Sequence, residues 1–313
     1  MGIIDLHCDT ISMCANNSHY SLRNNSGHID ALRLRAGNVM AQCFAIYTPS
    51  DSVETAWAYY QSCVDVFHRE INSNSDLIAQ ARSVSDIEHN ESISRISAIL
   101  TIEDSAALDG KIERLNRFYA DGVRMASLTW NNENSLGYPN SSDFDKMFMG
   151  LKPFGIECVE RMNELGIIVD VSHLSEGGFW DVYRYSSKPF AASHSCARAL
   201  CDHPRNLTDE QLRAIANKGG IVGVNFVPSF LRNGSNMGRI SDVVRHIKYI
   251  ADVAGIDTVA LGSDFDGYDD ATEMKGCEDW PLLVDSLRSE FTLEEIDKIS
   301  YKNAMRMFRS VES

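Results

Sequence analysis

Ile167-Ile168-Val169-Asp170-Val171-Ser172-His173 begins as three β-branched apolar residues and runs into an acid, a hydroxyl and an imidazole. A strand of an all-parallel sheet is buried on both faces and reads as a near-continuous apolar run. Polar groups that are costly to bury belong at its end. The same profile recurs along the chain. Upstream lie Ile3–Asp9, Val39–Tyr47, Ala98–Ser105 and Val123–Trp130; downstream lie Phe190–Ser195, Ile221–Phe226 and Val259–Asp266. Stretches of helical spacing separate most of these eight segments. Across 240–254, Ile240, Val243, Val244, Ile247, Ile250 and Ala251 fall on one helix face. Thr208-Asp209-Glu210-Gln211 carries a capping signal that opens another helix. This alternation predicts parallel strands joined by crossover helices. Eight strands predict an α/β fold of the (β/α)8 TIM-barrel kind. A doubly wound open sheet is the rival, because periodicity does not reveal closure. No repeat, low-complexity tract or linker interrupts the 313 residues, so 1–313 reads as a single barrel domain.

Composition narrows the function. Apolar residues make up 44% and charged residues 23%, an ordinary globular mixture. The net charge of −15 leaves no basic stripe to neutralise phosphates, which argues against nucleic acid and against anionic lipid. Met1–His7 has neither a basic region nor a long apolar run. No window approaches a membrane span, and Phe308–Ser313 has no anchor-like tail. The expectation is no membrane partner. Eight scattered cysteines without a CxxC pair read as reduced thiols filling the core of a cytoplasmic protein.

Barrel enzymes carry their chemistry at the C-terminal ends of the strands, and these segments end in unusual company. The first ends His7-Cys8-Asp9, where alternation places an imidazole and a carboxylate on one face. Others end Ile102-Glu103-Asp104, Ser172-His173, Ser193-His194 and Ser263-Asp264-Phe265-Asp266-Gly267. Three neutral imidazoles and two carboxylates suit zinc. Five ligands exceed one tetrahedral ion with an open position. They suit two ions sharing a carboxylate, about 3.5–4 Å apart. A lone strand-end histidine is more often structural, and Asp5, Asp104 and Asp170 could serve as caps. The case rests on five strands delivering such groups to one mouth. His19, His28, His68, His89 and His246 lack partners at ligand spacing and read as surface or packing residues. Trp57, Tyr59, Tyr60 and Phe67 read as one apolar helix face.

Six motifs in order resemble the membrane (renal) dipeptidase family of binuclear zinc peptidases, within the amidohydrolase-like barrels. They are DLHCDT at Asp5–Thr10, IEDS at Ile102–Ser105, DVSHLSE at Asp170–Glu176, ASHS at Ala192–Ser195, HPRNLTDE at His203–Glu210 and GSDFDG at Gly262–Gly267. The resemblance runs from Ile4 to about Phe308. It implies two Zn2+ per chain: His7 and Asp9 on the first, His173 and His194 on the second, and Glu103 bridging. It implies that Arg205 clamps the terminal carboxylate of a small dipeptide, a task for which the guanidinium fork is shaped. Asp264 is implied as the catalytic base that moves a proton from the attacking water to the leaving amine, with Asp266 as runner-up. A C-terminal D-residue fits the family's tolerance, and a homodimer is its common assembly.

One position departs from the family. Many members carry a histidine after Leu-Thr that contacts the scissile carbonyl. Here Leu128-Thr129 is followed by Trp130 and Asn131, and indole donates one N–H but carries no proton charge. Trp130 and Asn131 are therefore the candidate substrate contacts. Two other functions stay open on this reading. A cyclic-amide hydrolase or deaminase could use the same barrel, although Arg205 suits a peptide terminus better than a nucleobase. A metal-containing, non-enzymatic peptide-binding barrel would have no use for Asp264.

Overall fold

The β-branched runs form strands and the amphipathic stretches form helices, and the strands close on themselves. In this computed structural model, which describes residues 2–48 and 53–312, eight parallel strands make a barrel. They are β1 (Ile3–Asp5), β2 (Val39–Tyr47), β3 (Ile96–Glu103), β4 (Val123–Ser127), β5 (Ile168–Asp170), β6 (Ala191–Ala192), β7 (Ile221–Val224) and β8 (Val259–Leu261). Each pairs in parallel with the next, and β8 returns to β1 through Asp5 opposite Leu261. The open-sheet alternative is thereby excluded.

Several strands are shorter than their sequence segments. β1 stops at Asp5 and β8 at Leu261, so His7, Asp9, Asp264 and Asp266 all lie beyond the ladder. The backbone turns sharply there: φ is 68° at His173, 62° at Asp264 and 65° at Asp266. Left-handed backbone breaks the two-residue alternation, and past β1 and β8 the pairing continues as a single parallel bridge between Cys8 and Phe265. Plain alternation would put Asp264 and Asp266 on one face, and it fails here because of that left-handed backbone. Three short strands escaped the sequence reading. Ile78–Gln80 pairs with β3 at Ile96–Ala98, just below the point where β4 joins it. Met237–Gly238 pairs with Ala271–Thr272. Segments of two or three residues carry too little pattern to register.

One apolar cluster draws residues from all eight strands: Ile4, Cys43, Ile99, Met125, Ile168, Ala191, Ile221 and Ala260. Such a set can meet only inside the barrel. The final helix, Asn303–Val311, adds Met305, Met307 and Phe308 to it. Arg306 on that helix donates to the carbonyls of Gly219 and Asp257, ahead of β7 and β8. The helix therefore plugs the N-terminal end and leaves the other end for chemistry. A second cluster packs the strands against the surrounding helices. In the helix Ile240–Ala254, Val243, Val244, Ile247 and Ile250 are buried, as their spacing predicts. Thr208 and Gln211 make the reciprocal capping box that opens Asp209–Asn217. The helix Val53–Ser73 buries Tyr60 and Phe67 completely. All eight cysteines are free and buried. No helix among the described residues is long and apolar enough to cross a membrane.

Around β6 the backbones come unusually close. A Cβ added to Gly223 would lie 2.0 Å from the Ser193 carbonyl oxygen, and one added to Gly262 would lie 1.8 Å from it. Two glycines thus let β7 and the end of β8 press on the residue that precedes His194. Overpacking a tight core costs about 1–3 kcal/mol, and here the obstacle is backbone. We expect Gly262→Ala to lose at least about that much stability, seen as a lower urea midpoint at unchanged slope. A variant as stable as the parent would show that this approach is not a constraint.

Candidate metal centre

At the C-terminal mouth of the barrel, the carboxylate of Glu103 at the end of β3 sits among three imidazoles. Its Oε1 lies 2.8 Å from His173 Nε2 and 3.5 Å from His194 Nε2, and its Oε2 lies 3.5 Å from His7 Nε2. The Nε2 atoms of His173 and His194 are 3.0 Å apart. His7 Nε2 is also 3.5 Å from Asp9 Oδ2 and 3.8 Å from Asp264 Oδ1. All five sequence-predicted ligands thus converge, and Asp264 joins them. Two groups have donor atoms close enough to share an ion: His7, Glu103 and His194; and His7, Asp9 and Asp264. Every one of these side chains is buried or nearly so.

The electrostatics are those of a cation site. Burial pushes Asp9 up to about 7, and the Glu103 charge adds to it. Burial alone would lower His7, but the Glu103 charge and the nearby Asp9 carboxylate hold it well above the usual imidazole range. Burial would raise Glu103, yet the His7 charge and the imidazoles against it hold it well below the carboxylate range. Burial, then the nearby Arg205 charge, drives His173 down to about 3; burial, then the His7 charge, lowers His194. His173 and His194 are thereby neutral, the form that metal ligation requires, while the carboxylates around His7 favour its charged form and would favour a metal cation in the proton's place. His7 Nε2 and Asp9 Oδ1 are buried polar atoms without hydrogen-bond partners, a costly state unless another ligand satisfies them. Nitrogen and oxygen donors of this kind fit zinc, so the residues present fit a metal.

The surroundings hold these groups in place. Asn131 Oδ1 lies 3.2 Å from His173 Nδ1; if it accepts there, the Nε2 lone pair is left facing Glu103. The sequence reading gave Asn131 to the substrate; it does line the cavity, but its carbonyl is occupied by His173. Asn225, just past β7, was missed. Its Nδ2 donates to Asp264 Oδ2 at 2.8 Å, while its Oδ1 accepts from Val227 N–H. The only sequence signal was a polar residue closing an apolar run, as at the predicted ligands. Gly267 was also missed as a site residue: a Cβ there would lie 2.5 Å from both Asp264 Oδ1 and Asp9 Oδ2.

A cavity of about 430 Å³ opens over the cluster, bounded by Asp9, Glu103, His173 and Asp264, with Tyr47, Trp130, Phe230 and Tyr268 among its walls. Trp130 packs edge-on against Tyr47, ring centroids 4.8 Å apart, and lies 6.2 Å from the His173 ring. Arg205 is buried behind this cavity. It donates to the His194 carbonyl, stacks over Phe230 and keeps its Nε unpartnered. It lines a small adjoining cavity that shares His173 as a wall.

A model of the membrane dipeptidase family, peptidase family M19, matches residues 1–313. The chain belongs to that family. Dipeptidase aclJ of Aspergillus oryzae is 32% identical over 301 residues, 91% of this chain and 70% of the relative. An uncharacterised protein from the pqqA 5′ region of Klebsiella pneumoniae is 35% identical over 273 residues, 84% of this chain and 98% of that one. Among solved structures, an M19 metallopeptidase named dipeptidase AC superposes with a TM-score of 0.94 at 27% identity, covering 100% of this chain and 99% of that one. A metallopeptidase of Rhodobacter sphaeroides, liganded with a phosphinate mimic of L-Ala-D-Ala, gives 0.92 at 25% identity with the same coverage. M19 membership makes this chain a metal-dependent hydrolase of peptide bonds.

Asp266 borders the cavity, but its carboxylate is engaged elsewhere. Its Oδ1 accepts from His28 N–H at 2.5 Å, and its Oδ2 from Thr10 Oγ1 at 2.7 Å. His28 Nδ1 in turn accepts from Asp266 N–H, and its ring stacks on Phe265. His28 is therefore a packing residue, held by these hydrogen bonds outside the cluster. Asp266 ties the loop before the helix Ala31–Ala36 to the end of the barrel. We expect Asp266→Asn to lower Tm by several degrees with metal content unchanged. A variant that keeps its Tm but loses its metal would place Asp266 in the centre instead.

Proposed function

We propose that this chain hydrolyses dipeptides with two zinc ions, held by His7 and Asp9 on one side, His173 and His194 on the other, and Glu103 between them. The observation that carries this reading is the convergence of His7, Asp9, His173 and His194, from three strand ends, around Glu103 at a fourth. When bound, such ions polarise a carbonyl and make water acidic enough to supply a nucleophile near neutral pH. The protein's own groups do the rest. Asp264 is our candidate for the proton carrier. Asn225 holds its Oδ2, which leaves Oδ1 directed at the cluster. The aromatic walls exclude water from the bound amide. A cavity of about 430 Å³ is at the small end of ligand sites and matches a dipeptide better than a longer peptide. The Rhodobacter relative's L-Ala-D-Ala mimic supports including a C-terminal D-residue. Arg205, buried with a free Nε beside His173, is our candidate for the substrate's carboxylate. The free cysteines favour a reducing compartment, and we place the enzyme in the cytoplasm.

The direct test is hydrolysis of a dipeptide panel, C-terminal D-residues included, with metal content measured on the same sample. We expect about two zinc ions per chain, loss of activity on chelation and recovery with zinc. Asp264→Asn should keep its fold and lose at least about a hundredfold in kcat, the low end for general acid–base catalysis. Turnover that survives full metal removal would overturn the reading.

Arg205 is tested by substrate chemistry. Arg205→Ala should raise KM sharply for free dipeptides and much less for the same dipeptides amidated at the C-terminus. Equal losses on both would mean that Arg205 does not read the terminal charge.

A further inference from the structure

His194 stands at the end of a buried hydrogen-bond chain whose members carry no role in the catalytic reading. Asp170, the last residue of β5, is buried, as are Ser172, Ser193 and His194. Asp170 Oδ1 accepts from the backbone N–H groups of Ser172 and Ser193, both at 2.9 Å. Its Oδ2 accepts from Ser193 Oγ at 2.5 Å. Ser193 Oγ lies 2.7 Å from His194 Nδ1 and 3.3 Å from Ser172 Oγ. Ser172 Oγ accepts from the His194 N–H.

Proton counting settles the direction of each bond. A hydroxyl has one proton to give and two lone pairs to receive with. The Ser193 proton goes to the Asp170 carboxylate, which can only accept. Ser193 must then accept from His194, so Nδ1 carries the imidazole proton. Nε2 is left with its lone pair, and it is the nitrogen that faces Glu103 and His173. In water the neutral ring favours the opposite tautomer, so the preference has to be imposed. We infer that Asp170 and Ser193 are positioning residues: together they fix the tautomer and ring orientation of His194, and so make Nε2 available to a metal ion.

A comparable pair elsewhere in the barrel supplies a control. Asp5 ends β1 and accepts from Ser263 N–H at 2.8 Å and Ser263 Oγ at 2.6 Å. That serine reaches the carbonyl of His7, not a ring nitrogen. The same carboxylate–serine clasp thus stitches β8 to β1 and β6 to β5, but in the second case it also ends on a ligand's ring. Partners of this kind typically change metal affinity by about 10–100-fold when lost.

The inference rests on the proposed metal role of His194, yet its first test does not need metal. In metal-stripped, full-length protein with 15N-labelled histidine, NMR should show His194 protonated on Nδ1. Asp170→Asn then reverses the chain. Two backbone donors occupy Oδ1, so the new amide nitrogen must take the Oδ2 position and donate to Ser193. The serine proton turns toward His194 Nδ1, and the ring proton moves to Nε2. We expect this variant to bind zinc about 10–100-fold more weakly in chelator competition. Ser193→Ala, which frees the ring without reversing it, should fall between it and the parent. Asp5→Asn should leave the His194 tautomer unchanged. Parent protein protonated on Nε2 would overturn the inference, and so would Asp170→Asn with the parent's tautomer and zinc affinity. If Asp170→Asn fails to fold, the parent spectrum and Ser193→Ala still decide. A parent that binds no zinc but holds His194 protonated on Nδ1 would sink the metal reading and leave the tautomer assignment standing.

Discussion

Glu103 holds one carboxylate against three imidazole nitrogens inside protein, and much of the mouth of the barrel is arranged around that fact. Taking a charge out of water costs several kcal/mol unless partners compensate it. Three acids crowd His7: Asp9, Glu103 and Asp264 lie within 3.5 to 3.8 Å of its Nε2. Such a cluster cannot be left to flexible side chains. Each member sits at or just past a strand end, where the barrel's ladder fixes the backbone. The apolar plug built from Met305, Met307 and Phe308 fills the opposite end, so the polar cost is confined to one face. Stability and chemistry are divided along the barrel axis.

Much of this was legible in the sequence, and the reasons are specific. All eight barrel strands were found because each is an apolar run that stops at a polar group. The five candidate ligands stood out because imidazoles and carboxylates stood at those stops. Closure was not legible: the Asp5–Leu261 pairing joins residues at opposite ends of the chain, and no local pattern encodes it. His7 and Asp9 lie beyond β1, yet strand alternation still describes them: Cys8 between them bridges Phe265 in parallel, and its N–H and carbonyl bond to β2 at Cys43 and Ala45. The same rule misplaced Asp266, where left-handed backbone at Asp264 and Asp266 sends the two acids to different partners.

What the sequence concealed was the layer that orients the site. Asn131, Ser193 and Asn225 each hold a neighbour that does the visible work: His173, His194 and Asp264. Amides and hydroxyls at strand ends are common and usually satisfy loops, so nothing in their spacing distinguishes them. Their meaning depends on which strand lies beside which. Gly223 and Gly262 belong to the same layer, because they let β7 and the end of β8 close on Ser193.

The departure at Trp130 can be weighed in these terms. A histidine there could donate to a scissile carbonyl and carry charge; indole cannot carry charge. In this chain Trp130 packs edge-on against Tyr47 beside the cavity, and the next residue turns its carbonyl to His173. Neither group supplies a second cation at the mouth. Arg205 lines the adjoining cavity and not this one, so neither residue at the departure replaces the charge that a histidine could carry. The substitution trades a polar contact for an aromatic wall. A wall acts on the substrate's side chains more than on its amide, so the expected consequence of Trp130 is a changed choice of dipeptide within an unchanged reaction.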